Sequence, residues 1–146
     1  MTNRNERNRT IIEEFRRSGG RVGGSFEGRP VLLLSTTGAK TGLPRLNPLM
    51  YLADGDRWLV FATKGGNPKN PDWYHNLVAY PAVTIEVGPE TIEARAEVIT
   101  GEERERLYAK QAGLYPQFAE YQRRTARIIP VIALSRVETD QARTSR

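Results

Sequence analysis

Apolar positions recur along this chain mostly with a period of two, broken by glycine and proline clusters and flanked by short stretches of helical period. VLLLSTT (31–37) is a short apolar run bounded by turn formers and predicts a buried strand. GAKTG (38–42) predicts a tight turn. LPRLNPLMYLA (43–53) alternates, with Leu46, Met50 and Leu52 on one face and Arg45, Asn47 and Tyr51 on the other. DGD (54–56) is a hairpin signal, and RWLVFAT (57–63) predicts the returning strand, on which Trp58 alternates with Val60 and reads as core or barrel wall. KGGNPKNP (64–71) predicts a loop. AVTIEV (82–87) and TIEARAEVI (91–99) predict a second hairpin across GPE, with Ile92, Ala94, Ala96 and Val98 inward. IIPVIALSRV (128–137) predicts the last strand.

Helical spacing is confined to four places. Residues 5–17 put Ile11, Ile12 and Phe15 on one side, and Gly19 and Gly20 stop that helix. Residues 19–30 hold five Gly and one Pro and predict a loop. Asn70 and Pro71 predict a capped start for the helix PDWYHNLVA. Thr100 and Glu103 predict a capping box for a helix through about Ala112, and another helix follows Pro116. Antiparallel hairpins dominate, and the helices are too few for a βαβ series. A small antiparallel barrel would remove exposed edges, and Pro48 within a strand fits an edge or a bulge. No repeat or long linker divides the chain, so a single domain spanning 1–146 is expected, with an N-terminal helix in 1–20 and a frayed tail at 138–146.

Composition narrows the chemistry. The chain has no Cys and one His, His75, which excludes disulfides, Cys nucleophiles and multi-histidine metal sites. No apolar run approaches the roughly 20 residues that span a bilayer. MTNRNERNRT lacks the apolar region of a signal peptide, so a cytoplasmic location is expected. The net charge of +5 suits an anionic partner: nucleic acid, an acidic membrane surface, or a phosphorylated or carboxylated small molecule.

GAKTG resembles the end of a P-loop, but a strand follows it instead of a helix, and the required upstream Gly is missing. The turn can still hold an anion. Gly38 and Gly42 tolerate positive φ, so its N–H groups can converge, and Lys40 adds a charge at the tip. A second cationic turn, with Lys64 and Lys69 beside two glycines, precedes a helix start that presents free N–H groups. The DGD hairpin would bring Arg45 and Asn47 on one strand together with Thr63 and Lys64 on the next. Two cationic turns would then share one end of one hairpin. Cations clustered on two glycine turns suit a compact phosphate site better than a nucleic-acid groove. The N-terminal helix carries six Arg before residue 22, diluted by Glu6, Glu13 and Glu14. It can brush an anionic membrane or partly cover the site, and membrane association is the weaker of these readings.

The stretches TTGAKTGLPRLNP and KGGNPKNPDWYHNL, with LYPQFAEYQ and IIPVIAL behind them, resemble the deazaflavin-dependent nitroreductases, also called F-420H2-dependent quinone reductases. The resemblance covers roughly residues 22–136. It implies a mainly β (α+β) fold, a split antiparallel β-barrel of the flavin-reductase-like type with short flanking helices. It implies that coenzyme F-420, a deazaflavin carrying a phosphate and an oligoglutamate tail, is the cofactor. By resemblance Ala39, Lys40, Thr41 and Arg45 contact the phosphate or tail, and Asn47, Pro48 and Leu49 lie along the chromophore. Ala62, Thr63 and Lys64 hold the ring edge and phosphate, and Trp73, Tyr74 and Asn76 complete the pocket. Leu46, Met50, Asp72 and His75 adjoin these stretches and belong to the same cofactor-binding set; no metal is implied.

The activity implied is hydride transfer from reduced F-420 to a quinone, an enone or a nitroaromatic compound. Tyr115, Phe118 and Tyr121 recur every third residue and can share a helix face. By resemblance this helix covers the substrate side, with Tyr115 and Tyr121 as catalytic candidates. Well-known members of the family carry Tyr where this chain has Phe118, which puts nitroreduction in doubt, while solvent or Tyr121 can supply the proton for a quinone. Rival readings are a non-catalytic F-420 store and an FMN reductase on the same barrel. No nucleic-acid partner is expected, and the chain is expected to be a monomer or homodimer.

Overall fold

A computed structural model describes residues 4–23, 26 and 28–137. The expected tail at 138–146 lies outside the described residues. Helix α1 (Arg4–Ser18) precedes strands β1 (Val31–Thr37), β2 (Pro44–Met50), β3 (Leu52–Asp54) and β4 (Arg57–Phe61). After a 3-10 turn at Lys64–Gly66 come α2 (Asp72–Ala79), β5 (Ala82–Val87), β6 (Glu90–Ile99), α3 (Gly101–Leu114), α4 (Gln117–Arg123) and β7 (Val131–Arg136).

The strands form one antiparallel sheet in the order β2-β1-β5-β6-β7-β4-β3. β2 and β3 occupy opposite edges, yet only Tyr51 separates them in the chain. Consecutive Cα atoms are about 3.8 Å apart, so the sheet must curl until its edges meet. This is the split barrel that the family resemblance implies, and it agrees with the small antiparallel barrel expected from the hairpins. The expected strand at 43–53 is therefore two strands: its first part pairs with β1 and its last part with β4. The Tyr51 N–H donates to the Pro30 carbonyl at 3.1 Å, where the chain changes partner. Pro48 sits on an edge strand opposite Leu33 in unbroken register. It marks an edge and not a bulge, and regular pairing fails three residues later.

Both faces of the central strands are covered, which explains their continuous apolar runs. Leu32 and Leu34 of β1, Val60 of β4 and Leu134 of β7 point into the barrel, where Trp73 and Leu77 of α2 plug it. Val31 and Leu33 face the other way, against Phe15 of α1. Leu59 and Phe61 pack outward on Leu107 and Tyr108 of α3 and Phe118 of α4.

Two predicted caps do not form, because tertiary partners take the polar groups. α2 begins at Asp72 with Pro71 as its capping residue. The Asn70 side-chain Oδ1 accepts instead from Arg127 Nη1 at 2.8 Å. Thr100 precedes α3 without a side-chain cap, and Glu103 is bound by Arg57 Nη2 at 2.7 Å.

Behind the barrel, Tyr108 donates its hydroxyl to the Phe118 carbonyl at 2.6 Å while the Arg104 guanidinium lies over its ring. Burial pushes the Tyr108 phenol up to about 12 from 10.0. The raised value means that the neutral phenol favours the folded state. Its contribution is whole below the unfolded value and is lost as pH climbs through about 12. A loss on the order of 2 kcal/mol is expected across that window. Circular dichroism of alkaline unfolding checks this: Tyr108→Phe should remove the step, and an unchanged alkaline profile would contradict the assignment.

Candidate active site

A cleft of about 1360 Å³ opens between the GAKTG turn, β2, the Lys64–Gly66 turn, the start of α2 and helix α1. It exceeds the usual range of roughly 300–1,000 Å³ for a single small ligand, which leaves room for a long cofactor beside an acceptor.

The GAKTG turn closes on itself. The Gly38 N–H donates to the Leu43 carbonyl and the Gly42 N–H to the Gly38 carbonyl, both at 2.8 Å. Only Gly42 of the two glycines has positive φ, at 71°. Gly38 is needed for closeness instead, since a Cβ there would lie 2.6 Å from the Thr41 hydroxyl. That hydroxyl accepts from the Leu43 N–H at 3.2 Å. The turn is tied to α2 by Asn76, which is buried. Its amide accepts from the Ala39 N–H at 2.9 Å and donates to the Thr36 hydroxyl at 3.1 Å. The N–H groups of Lys40 and Thr41 find no acceptor among the described residues.

The second turn is built differently. Lys64, Gly65 and Gly66 have φ of 45°, 63° and 82° in succession. Lys64 is the one non-glycine residue with positive φ among the described residues. A side chain in that region costs roughly 1–2 kcal/mol and persists where its surroundings hold it, commonly at sites. The N–H groups of Gly66 and Asn67 are used within the turn, while those of Lys64 and Gly65 have no acceptor among the described residues.

Of the expected cofactor-binding residues, Ala39, Lys40, Thr41, Arg45, Leu46 and Asn47 line the cleft. So do Pro48, Leu49, Thr63, Lys64, Asp72, Trp73, His75 and Asn76. Met50 is turned into the core between α1 and the outer cluster, Ala62 is fully buried, and Tyr74 packs against the barrel interior. Tyr115, Phe118 and Tyr121 do not line the cleft. Phe118 is core, and the two tyrosines flank it. Phe61 links them to the site, lining the cleft and meeting Phe118 edge-on at 5.7 Å. The two cationic turns do converge, but through barrel closure, because β2 pairs with β1 and not with β4.

Helix α1 forms a wall that spacing did not reveal: Arg9, Ile11, Ile12 and Glu13 face the cleft. The reading that α1 partly covers the site is thus the one its placement supports. Its far end is locked by Arg16 on Glu86, at 3.0 and 2.6 Å. Gly20 meets Gly88 so closely that a Cβ would come 2.5 Å from the Gly88 Cα. Arg127 was also illegible. It does not touch the cleft but binds the loop that makes one wall.

The cleft thus joins two charged, N–H-rich turns to an apolar flank of Leu49, Phe61 and Trp73. Such a donor set fits an elongated ligand with a planar ring at one end and phosphate or carboxylates at the other.

The family model for the F420H(2)-dependent quinone reductases matches residues 7–136. The chain is 42% identical over 128 residues to the F420H(2)-dependent quinone reductase Rv1261c of Mycobacterium tuberculosis, covering 84% of this chain and 85% of that protein. Among solved structures it resembles an F420-H2 dependent reductase, FDR-A, at 41% identity and a TM-score of 0.67, over 73% of this chain and 95% of that one. It also resembles a chain from a domain-swapped dimer at 38% identity and a TM-score of 0.69, over 87% and 96%. The chain belongs to the F420H(2)-dependent quinone reductase family.

Proposed function

We propose that this chain is a reductase that uses reduced coenzyme F-420 to reduce quinones, with the cleft as its active site. The convergence of two cationic, N–H-rich turns on one cleft with an apolar flank carries this reading. When bound, reduced F-420 supplies the hydride. Lys40, Thr41 and Arg45 would hold the phosphate and the glutamate tail, and Lys64 the phosphate from the other side. Leu49, Trp73 and the Asn47–Pro48 edge would lie against the ring. Ile11 and Ile12 of α1 would shield the reacting face from water and offer an apolar bed to the acceptor. A proton for the reduced quinone oxygen comes from solvent or Tyr121. Solvent is the simpler source, because neither tyrosine of the 115–121 segment lines the cleft. Enones and nitro compounds are further acceptors in this reading. A single cytoplasmic domain acting as a homodimer completes it. No helix among the described residues is long and apolar enough to cross a membrane.

Fluorescence titration with F-420 and, separately, FMN tests the cofactor. Micromolar affinity for F-420 is expected, followed by return of the oxidised-cofactor absorbance when menadione is added to the reduced complex. Micromolar binding of FMN without F-420 would overturn the proposal. Tight F-420 binding with no reoxidation across quinones and enones would leave a store of the cofactor instead.

A further inference from the structure

We infer that Arg127 is a positioning residue that aims the Lys64 backbone N–H into the cleft, toward an oxyanion of the bound cofactor. The inference rests on the proposed function for the identity of that ligand.

Arg127 follows α4 in the segment leading to β7, and its own backbone is held from both sides. Gln122 donates its amide to the Arg127 carbonyl at 2.7 Å and accepts from the Ile129 N–H at 3.1 Å. The buried Arg104 guanidinium donates to the Ile129 carbonyl at 3.1 and 2.8 Å. From this anchored base the Arg127 side chain reaches across to the loop between β4 and α2. Nη1 donates to the Ala62 carbonyl at 3.0 Å and to Asn70 Oδ1 at 2.8 Å, Nη2 to the Thr63 carbonyl at 2.7 Å, and Nε to the Asn67 carbonyl at 2.8 Å. One planar fork therefore fixes both ends of the loop that carries Lys64.

The Thr63 contact has a directional consequence. In a planar trans peptide the C=O and the following N–H point to opposite sides. With the Thr63 carbonyl held by Arg127 at 2.7 Å as well as by the Gly66 N–H at 2.9 Å, the Lys64 N–H faces away from Arg127, and Thr63 and Lys64 both line the cleft. That N–H has no acceptor among the described residues, and Lys64 is held at a φ of 45° that its side chain does not favour. The clamp sits where the strain must be held.

The test compares Arg127→Met, which fills similar space without donors, with Arg127→Lys, which keeps the charge without the fork. Two ligands are titrated: F-420, and the deazaflavin fragment lacking phosphate and tail. Both variants should weaken F-420 binding about tenfold or more while the fragment's Kd moves less than twofold. Hydrogen exchange on the free protein should quicken at Gly66 and Asn67, whose N–H groups are bonded within the turn, and stay unchanged in β5 and β6. Equal loss for both ligands, full affinity in Arg127→Lys, or unchanged exchange in the loop would each overturn the inference. If the unaltered protein binds no F-420, the functional proposal falls, and the exchange data alone decide whether Arg127 clamps the loop.

Discussion

Gly66→Ala is expected to lower stability by about 3 kcal/mol and to disable the cleft from behind. Two effects add. At a φ of 82° an L-residue is strained, which costs roughly 1–2 kcal/mol. The new Cβ would also sit 2.7 Å from the Tyr121 carbonyl oxygen and 2.9 Å from the Arg124 Cβ. The first of these is backbone of α4 and cannot swing aside, so the turn and the helix must separate, and such overpacking costs about 1–3 kcal/mol. For a chain of this length a loss of that size lowers Tm by roughly 10 °C. Gly65→Ala is the matched comparison, because its φ is 63° but nothing lies within 4 Å of a Cβ there. It should cost only about 1 kcal/mol. Thermal melts of the two variants decide: equal losses would show that backbone conformation, and not the contact with α4, dominates. Gly66→Ala should also weaken cofactor binding beyond its effect on melting, since Lys64 belongs to the same turn.

Removing both Lys40 and Arg45 as alanines should weaken binding of F-420 with a long glutamate tail about a hundredfold and leave the melting temperature almost unchanged. Both side chains are exposed at the cleft. Their attraction for a polyanion is direct, and truncating them opens no core. The dependence of Kd on salt should flatten in the double variant, because fewer charges face the ligand. Cofactor trimmed to a short tail should lose less affinity than the long form. If tail length made no difference to the loss, the assignment of the GAKTG turn to the glutamates would be wrong.

Much of this fold is legible in the chain itself. Alternation along 82–99 and the apolar runs at 31–34 and 131–134 demanded antiparallel strands with buried faces, because side chains leave a strand on opposite sides. Gly and Pro clusters placed the turns. The two cationic glycine turns marked the site, since few other arrangements offer charge and free N–H groups together. The break at Tyr51 was hidden, however, because the period of two runs through it without a change of parity. The chain changes partner there, not face, and a partner is not written in local spacing.

The failed caps teach the same thing. Asn70 and Glu103 are good capping residues by type, but each meets a distant arginine, Arg127 and Arg57, and a charge-assisted bond outcompetes a neutral local one. Arg127 itself looked like any surface arginine beside Arg123 and Arg124. Arg123 pairs with Glu120 one helical turn away, while Arg127 binds carbonyls 60 to 65 positions distant.

By itself, then, the sequence determined what depends on neighbours in the chain: strand periodicity, the turns that only glycine allows, and the gathering of cations on two of them. Only the tertiary structure decided which edges close the barrel, that α1 forms a wall of the cleft, and that an arginine behind Lys64 holds its backbone. Those outcomes rest on contacts between residues far apart in the chain, and there the geometry of three-dimensional packing, not local preference, selects the partner.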